Sequence, residues 1–153
     1  MVEMRTPSLM VAVALGLGAA ACREPPHHVE IVAPPPAGEV APLVQKELAR
    51  ARRDGRRLLV YVGASWCEPC QYFHRAAAAG RLDDAFPTLR ILDFDHDRDG
   101  ERLAAAGYTS RLIPLFVVPA ADGRASGRMI EGSIKGEGAV AEITPRLAAL
   151  LGK

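Results

Sequence analysis

The chain has 153 residues, with 19 Lys and Arg against 18 Asp and Glu and 49% hydrophobic residues, which suits one ordinary domain with a real core plus appendages. A formal net charge of +1 excludes the clear basic excess that binding a phosphate backbone requires, so nucleic acid is not expected as a partner. Three cysteines are too few for a disulfide scaffold and odd in number, so each one needs its own account.

Residues 9–21, LMVAVALGLGAAA, form an uncharged apolar run behind Arg5. The run is too short to span a bilayer unaided, since a spanning helix takes about 20 apolar residues. Its length and small-residue ending fit the core of a secretory signal. Cys22 follows Ala19-Ala20-Ala21 directly. That arrangement resembles a bacterial lipoprotein signal, with Ala19 standing where that family prefers Leu. The resemblance implies a leader over residues 1–21 and a lipid on Cys22. The mature protein is then exported and anchored to a bacterial membrane, with its domain in the periplasm or otherwise outside the cytoplasmic membrane. Residues 22–41 follow as a tether. Six of the twelve prolines fall in or just after it, between Arg23 and Pro42, and such a stretch neither propagates a helix nor pairs as a central strand.

Residues 42–153 are expected to form one domain. Val44, Leu48 and Ala51 have helical spacing, and Gly55 stands where that helix would stop. Leu58–Val62 is a continuous apolar run of strand length. Arg90–Phe94 and Leu115–Val118 are two more such runs, and both suit buried, parallel-type strands. Helical segments are predicted over Cys67–Ala79, Glu101–Ala106 and Val140–Leu151, with Pro145 either starting a new helix or kinking the last one. Ala121-Asp122-Gly123 reads as a turn before a candidate edge strand, Arg128–Ile134. The order of these elements predicts an α/β or α+β sandwich.

Trp66-Cys67-Glu68-Pro69-Cys70 follows the first apolar strand and opens a helix. A sulfur at a helix N-terminus meets unpaired N–H donors and the positive end of the helix dipole, and both favour thiolate over thiol. Two intervening residues bring the Cys70 sulfur within bonding range of Cys67, and Pro69 fits a first turn where its missing N–H has no role. The pair can therefore cycle between dithiol and disulfide. Three other readings compete. A structural bridge closing so small a loop gains only about 2 kcal/mol. A zinc site needs two further ligands, for which the domain offers His74 and His96. Haem attachment needs a histidine where Gln71 stands.

The motif, its strand context and Ile113-Pro114 before the strand Leu115–Val118 together resemble a thioredoxin-fold protein. The resemblance covers roughly residues 42–151 and implies a three-layer α/β/α sandwich with a central mixed sheet. It implies thiol–disulfide exchange with no cofactor beyond the redox-active Cys67–Cys70 disulfide and with no metal. Cys67 would attack a client disulfide and Cys70 would resolve the mixed disulfide. Trp66 would shield the sulfurs, while Ile113 and a cis Pro114 would dock the client and keep metals off the pair. Gly132 and Gly136 fall where the family also tolerates glycine. Two positions depart from thioredoxin itself: Tyr61 replaces a buried acid six residues before Cys67, and Arg75 replaces a helix-kinking proline.

Glu68 disfavours thiolate at Cys67 and lowers the potential, so reduction of disulfides in exported clients is the expected direction, fed by a membrane thiol reductant. The Glu-Pro pair is also seen in extracytoplasmic reductants that serve cytochrome c maturation, which makes apocytochrome c a candidate client. The alternatives are a non-catalytic tethered module that binds a metal or partner protein, and an oxidant or isomerase. Asp95-His96-Asp97-Arg98-Asp99-Gly100 copies half of a calcium-binding loop, but Ala106 occupies the position of its bidentate Glu. A polar loop with Asp99 near a helix start explains the same letters.

Overall fold

The computed structural model describes residues 27–153 together with Met1. The leader, Cys22 and the first part of the tether lie outside the described residues. Nine elements follow in chain order: β1 (Glu30–Val32), α1 (Val40–Arg53), β2 (Arg57–Gly63), α2 (Glu68–Ala78), β3 (Leu89–Asp95), α3 (His96–Ala105), β4 (Leu115–Pro119), β5 (Ala125–Glu131) and α4 (Ala139–Leu150). The sheet order is β1-β3-β2-β4-β5. β1, β3 and β2 run parallel, whereas β4 pairs antiparallel with both β2 and β5.

Alternation along the central strand builds the three layers. Leu59 and Tyr61 of β2, Ile91 of β3 and Phe116 of β4 face one side, packed against Phe73 and Ala76 of α2 and Ile143 and Leu147 of α4. Leu58, Val60 and Val62 face the other side, with Leu92, Phe94 and Val117, against Val44 and Ala51 of α1 and Leu103 of α3. With both faces covered, β2 has no solvated side to mark with polar residues. That is why it reads as an unbroken apolar run.

Four sequence-level expectations change. First, the stretch expected as tether is not irregular up to residue 41: Glu30–Val32 form an edge strand on β3, and α1 starts at Val40. Prolines flank β1 but do not enter it, and an edge strand pairs on one side only. Glu30 accepts from Arg90 at 2.7 Å and pairs with Arg56 at 3.0 Å, and Asp83 accepts the Val29 N–H at 2.8 Å. Second, β4 is antiparallel, not parallel, because a strand buried on both faces is apolar in either direction. Third, α3 begins at His96, five residues before the predicted start, since Asp95 caps it by accepting from the Asp97 and Arg98 N–H groups. Fourth, β5 starts and ends three residues early, leaving Ile134 exposed beyond it. Pro145 lies inside α4. Among the described residues no helix is long and apolar enough to cross a membrane.

Of the five arginines between Arg50 and Arg57, three sit in the last turn of α1, where cations complement the helix dipole. Arg56 takes up Glu30, and Arg57 donates to the Leu151 carbonyl, which ties β2 to the end of α4.

Candidate active site

β2 ends at Gly63, and three residues later the chain turns into α2. Cys67 is the cap of that helix, with extended backbone angles (φ −79°, ψ 106°), and its sulfur accepts the Cys70 N–H at 3.3 Å. Cys67 and Cys70 are joined as a disulfide, Sγ–Sγ 2.00 Å with Cα atoms 5.2 Å apart. Both are buried, at 4% and 2% exposure. Pro69 lies in the first turn, where no carbonyl waits for the N–H it lacks. Gln71 Nε2 donates to the Ser65 carbonyl at 2.6 Å and so pins the connection ahead of the motif. Glu68 is the first helical residue, exposed and beside the pair.

The Ile113-Pro114 bond is cis. Pro114 is buried at the start of β4, and Ile113 packs against the core cluster that contains both cysteines. Trp66 stands out from the surface at 63% exposure, held by its indole N–H donating to Asp97 Oδ2 at 2.8 Å. His96 Nδ1 lies 2.9 Å from the other Asp97 oxygen. The hydrogen bond from His96 foremost, then that from Trp66, holds the Asp97 carboxyl below the ordinary carboxylate range. Leu112, next to Ile113, is also exposed and shields Gly132, where a Cβ would come within 2.9 Å of it.

Beneath the pair lies Tyr61, fully buried, stacked on Phe73 with centroids 5.5 Å apart and tilted against Phe116 at 5.1 Å. Burial foremost, then the neighbouring Asp93, raises its phenol far above the ordinary range, so the group stays O–H. A carboxyl at this place would accept protons near neutrality when buried; this phenol does not.

The run from Asp95 to Gly100 is the first turns of α3, not a loop. Asp95 caps the helix, Asp97 holds Trp66, and buried Asp99 takes Arg98 and Arg102 at 2.8 Å each. Among the described residues no group of three or more His, Cys, Asp or Glu side chains could hold a metal ion. Three functional candidates were not singled out in this role from sequence: Asp97 through its grip on Trp66, and the pair His74 and Asp93 beside Cys70. A signal for them did exist. Asp93, Asp95 and Asp97 cluster at the C-terminal end of a strand, and parallel pairing of β3 with β2 carries that end to the cysteines.

A family model described as thioredoxin-like matches residues 42–120. No curated protein matches the chain significantly. Among solved structures, a poplar thioredoxin h is 23% identical, with a TM-score of 0.51, covering 82% of this chain and 98% of its own. A thioredoxin of Fasciola hepatica is 22% identical, with a TM-score of 0.46 and coverage of 76% and 97%. One from Trypanosoma brucei brucei is 18% identical, with a TM-score of 0.44 and coverage of 87% and 97%.

Proposed function

Because the chain belongs to the thioredoxin-like family and holds Cys67 and Cys70 as a disulfide at the start of α2, we propose that it is an extracytoplasmic thiol–disulfide oxidoreductase that reduces disulfides of exported client proteins. The observation that carries this reading is the sulfur of Cys67 at the cap of α2, accepting a backbone N–H. A thiolate there is stabilised by the same donor and by the helix dipole.

In the reduced protein, Cys67 thiolate attacks a client disulfide. One client sulfur leaves, and a mixed disulfide remains. Cys70 then attacks Cys67 Sγ, the client leaves as a dithiol, and the buried pair is a disulfide again. Trp66, exposed next to Cys67, and Ile113, packed on the cluster that contains both cysteines, would offer a client chain apolar and backbone contacts. Glu68 supports the reductive direction, since its negative charge beside Cys67 opposes that of the thiolate and lowers the potential. Electrons would come from a membrane thiol reductant, and apocytochrome c remains a candidate client.

The lipid on Cys22 is part of the same proposal. With β1 starting at Glu30, about eight residues separate the sheet from a lipid on Cys22, and such a length reaches at most roughly 25 Å when extended. The site would then work close to the membrane surface.

The full chain carrying Cys22→Ser, supplied with a small dithiol, is expected to reduce insulin disulfides, and Cys67→Ser is expected to abolish turnover. Cys70→Ser should instead trap a mixed disulfide visible by mass. Undiminished turnover in the Cys67 variant would refute the assignment.

A further inference from the structure

A cleft of about 380 Å³ opens beside Cys70, lined also by Tyr61 and Gly63 of β2, His74 of α2, and Asp93 and Asp95 of β3. Cys70 and His74 are four residues apart on one helix, so their Cβ atoms lie about 5–6 Å from each other. His74 Nε2 is 3.6 Å from Asp93 Oδ2, and the Tyr61 ring meets the imidazole edge-on at 5.1 Å. The Tyr61 hydroxyl is buried with no hydrogen-bond partner among the described residues. A cleft this size, lined by carboxylates and an imidazole, is roomy and polar enough to hold water between His74 and Cys70.

Cys70 is a buried thiol, and burial opposes its ionisation, yet only the thiolate attacks. A proton acceptor is therefore needed close by. Tyr61 stands where an acid would serve and stays protonated. Asp95 is occupied in capping α3, and Arg98, at the rim, is paired with Asp99. A carboxylate is in general a far weaker base than an imidazole, whose charge changes near neutral pH. Of the groups facing the cleft, His74 alone is an imidazole, and Asp93 lies against its outer nitrogen.

We propose that His74, positioned by Asp93, accepts the Cys70 proton through water in this cleft during resolution of the mixed disulfide. The inference rests on the oxidoreductase reading and adds the proton path to it. Cys70 Sγ–H gives its proton to His74, leaving a thiolate beside an imidazolium paired with Asp93. The thiolate attacks Cys67 Sγ, the bond from Cys67 to the client sulfur breaks, and the Cys67–Cys70 bond forms. Two electrons pass from the pair to the client, whose departing thiolate takes a proton from solvent while His74 returns one to solvent. Asp93 acts through His74 and is a positioning residue.

The test uses the reduced full chain with Cys22→Ser and oxidised glutathione as the probe, following by mass the decay of the glutathione adduct on Cys67 across pH. At pH 7, His74→Gln is expected to slow that decay about 10²-fold, so the adduct accumulates. The deficit should narrow as pH rises into the alkaline range, where hydroxide removes the thiol proton without a base. His74→Ala should regain rate when imidazole is added, and Asp93→Asn should show a smaller loss of the same pH shape. Wild-type decay in His74→Gln at pH 7 would overturn the proposal, as would a pH-independent slowing without imidazole rescue. A wild type that oxidised glutathione converts neither to the adduct nor to the Cys67–Cys70 disulfide overturns the oxidoreductase reading instead.

Discussion

Gly63 closes β2 two residues after Tyr61, so a side chain there would point to the same face of the sheet. A Cβ at this position would overlap the Tyr61 hydroxyl and come within 2.8 Å of two ring carbons. Tyr61 cannot yield, because Phe73 and Phe116 pack against it on the same buried face. Glycine is therefore required by the tyrosine that replaces the family's buried acid, and not by a left-handed backbone. Gly63→Ala is expected to destabilise the protein by about 2 kcal/mol, in the range of core overpacking. In a Tyr61→Phe background the same change should cost less, since the most crowded atom is gone. Urea denaturation of the four proteins closes that cycle, and strict additivity would disprove the coupling.

At the scale of elements, α3 shows how polar letters serve the fold. Asp99 is fully buried between Arg98 and Arg102 and also accepts the Asp95 N–H at 3.0 Å. Burial pushes its carboxyl up, but the hydrogen bonds from Arg98 and Arg102 outweigh burial and hold it below the ordinary range. A carboxyl with a depressed folded pKa stabilises the fold above its unfolded value, near 4, and loses that contribution as pH falls through the folded value. Asp99→Asn is therefore expected to cost about 2 kcal/mol at pH 7, as charged hydrogen bonds are lost. The gap to wild type should shrink below pH 4; an equal gap at pH 7 and pH 3 would place the effect in packing instead. This cluster was legible as a helix start only at Asp99, because a run of aspartates reads equally as a loop until the cap residue is known. The apolar runs showed β2, β3 and β4 but not that β4 is antiparallel, which depends on the chain's return path. β1 was hidden because prolines on both sides mask three pairing residues. At the site, Trp66, Cys67, Pro69 and Cys70 were legible because they are contiguous. Asp97, and His74 with Asp93, reach the cysteines only through the pairing of β2 with β3 and the start of α3, which no local pattern records.

For the whole molecule, the redox state of one bond and the stability of the fold are linked. Closing the four-residue loop restricts the unfolded chain and favours the oxidised protein by about 2 kcal/mol. Stabilising a thiolate in the folded dithiol form works the other way, and relatives that oxidise strongly do so because their reduced form is stabilised. The cap of α2 offers Cys67 a donor and a helix dipole, but Glu68 lies beside it and no cation stands between the cysteines. The thiolate contribution should thus fall short of the loop term. The oxidised protein is expected to be the more stable form, by about 1–2 kcal/mol, with a potential near that of a reductant, about −270 mV. Glu68→Gln should narrow the difference and raise the potential by about 10–20 mV, which is the equivalent of 0.5–1 kcal/mol for two electrons. Urea unfolding of the two redox forms and equilibration with glutathione measure the same cycle independently. A dithiol form more stable than the disulfide form, with a potential near about −120 mV, would reverse the proposed direction of electron flow while leaving the exchange chemistry in place.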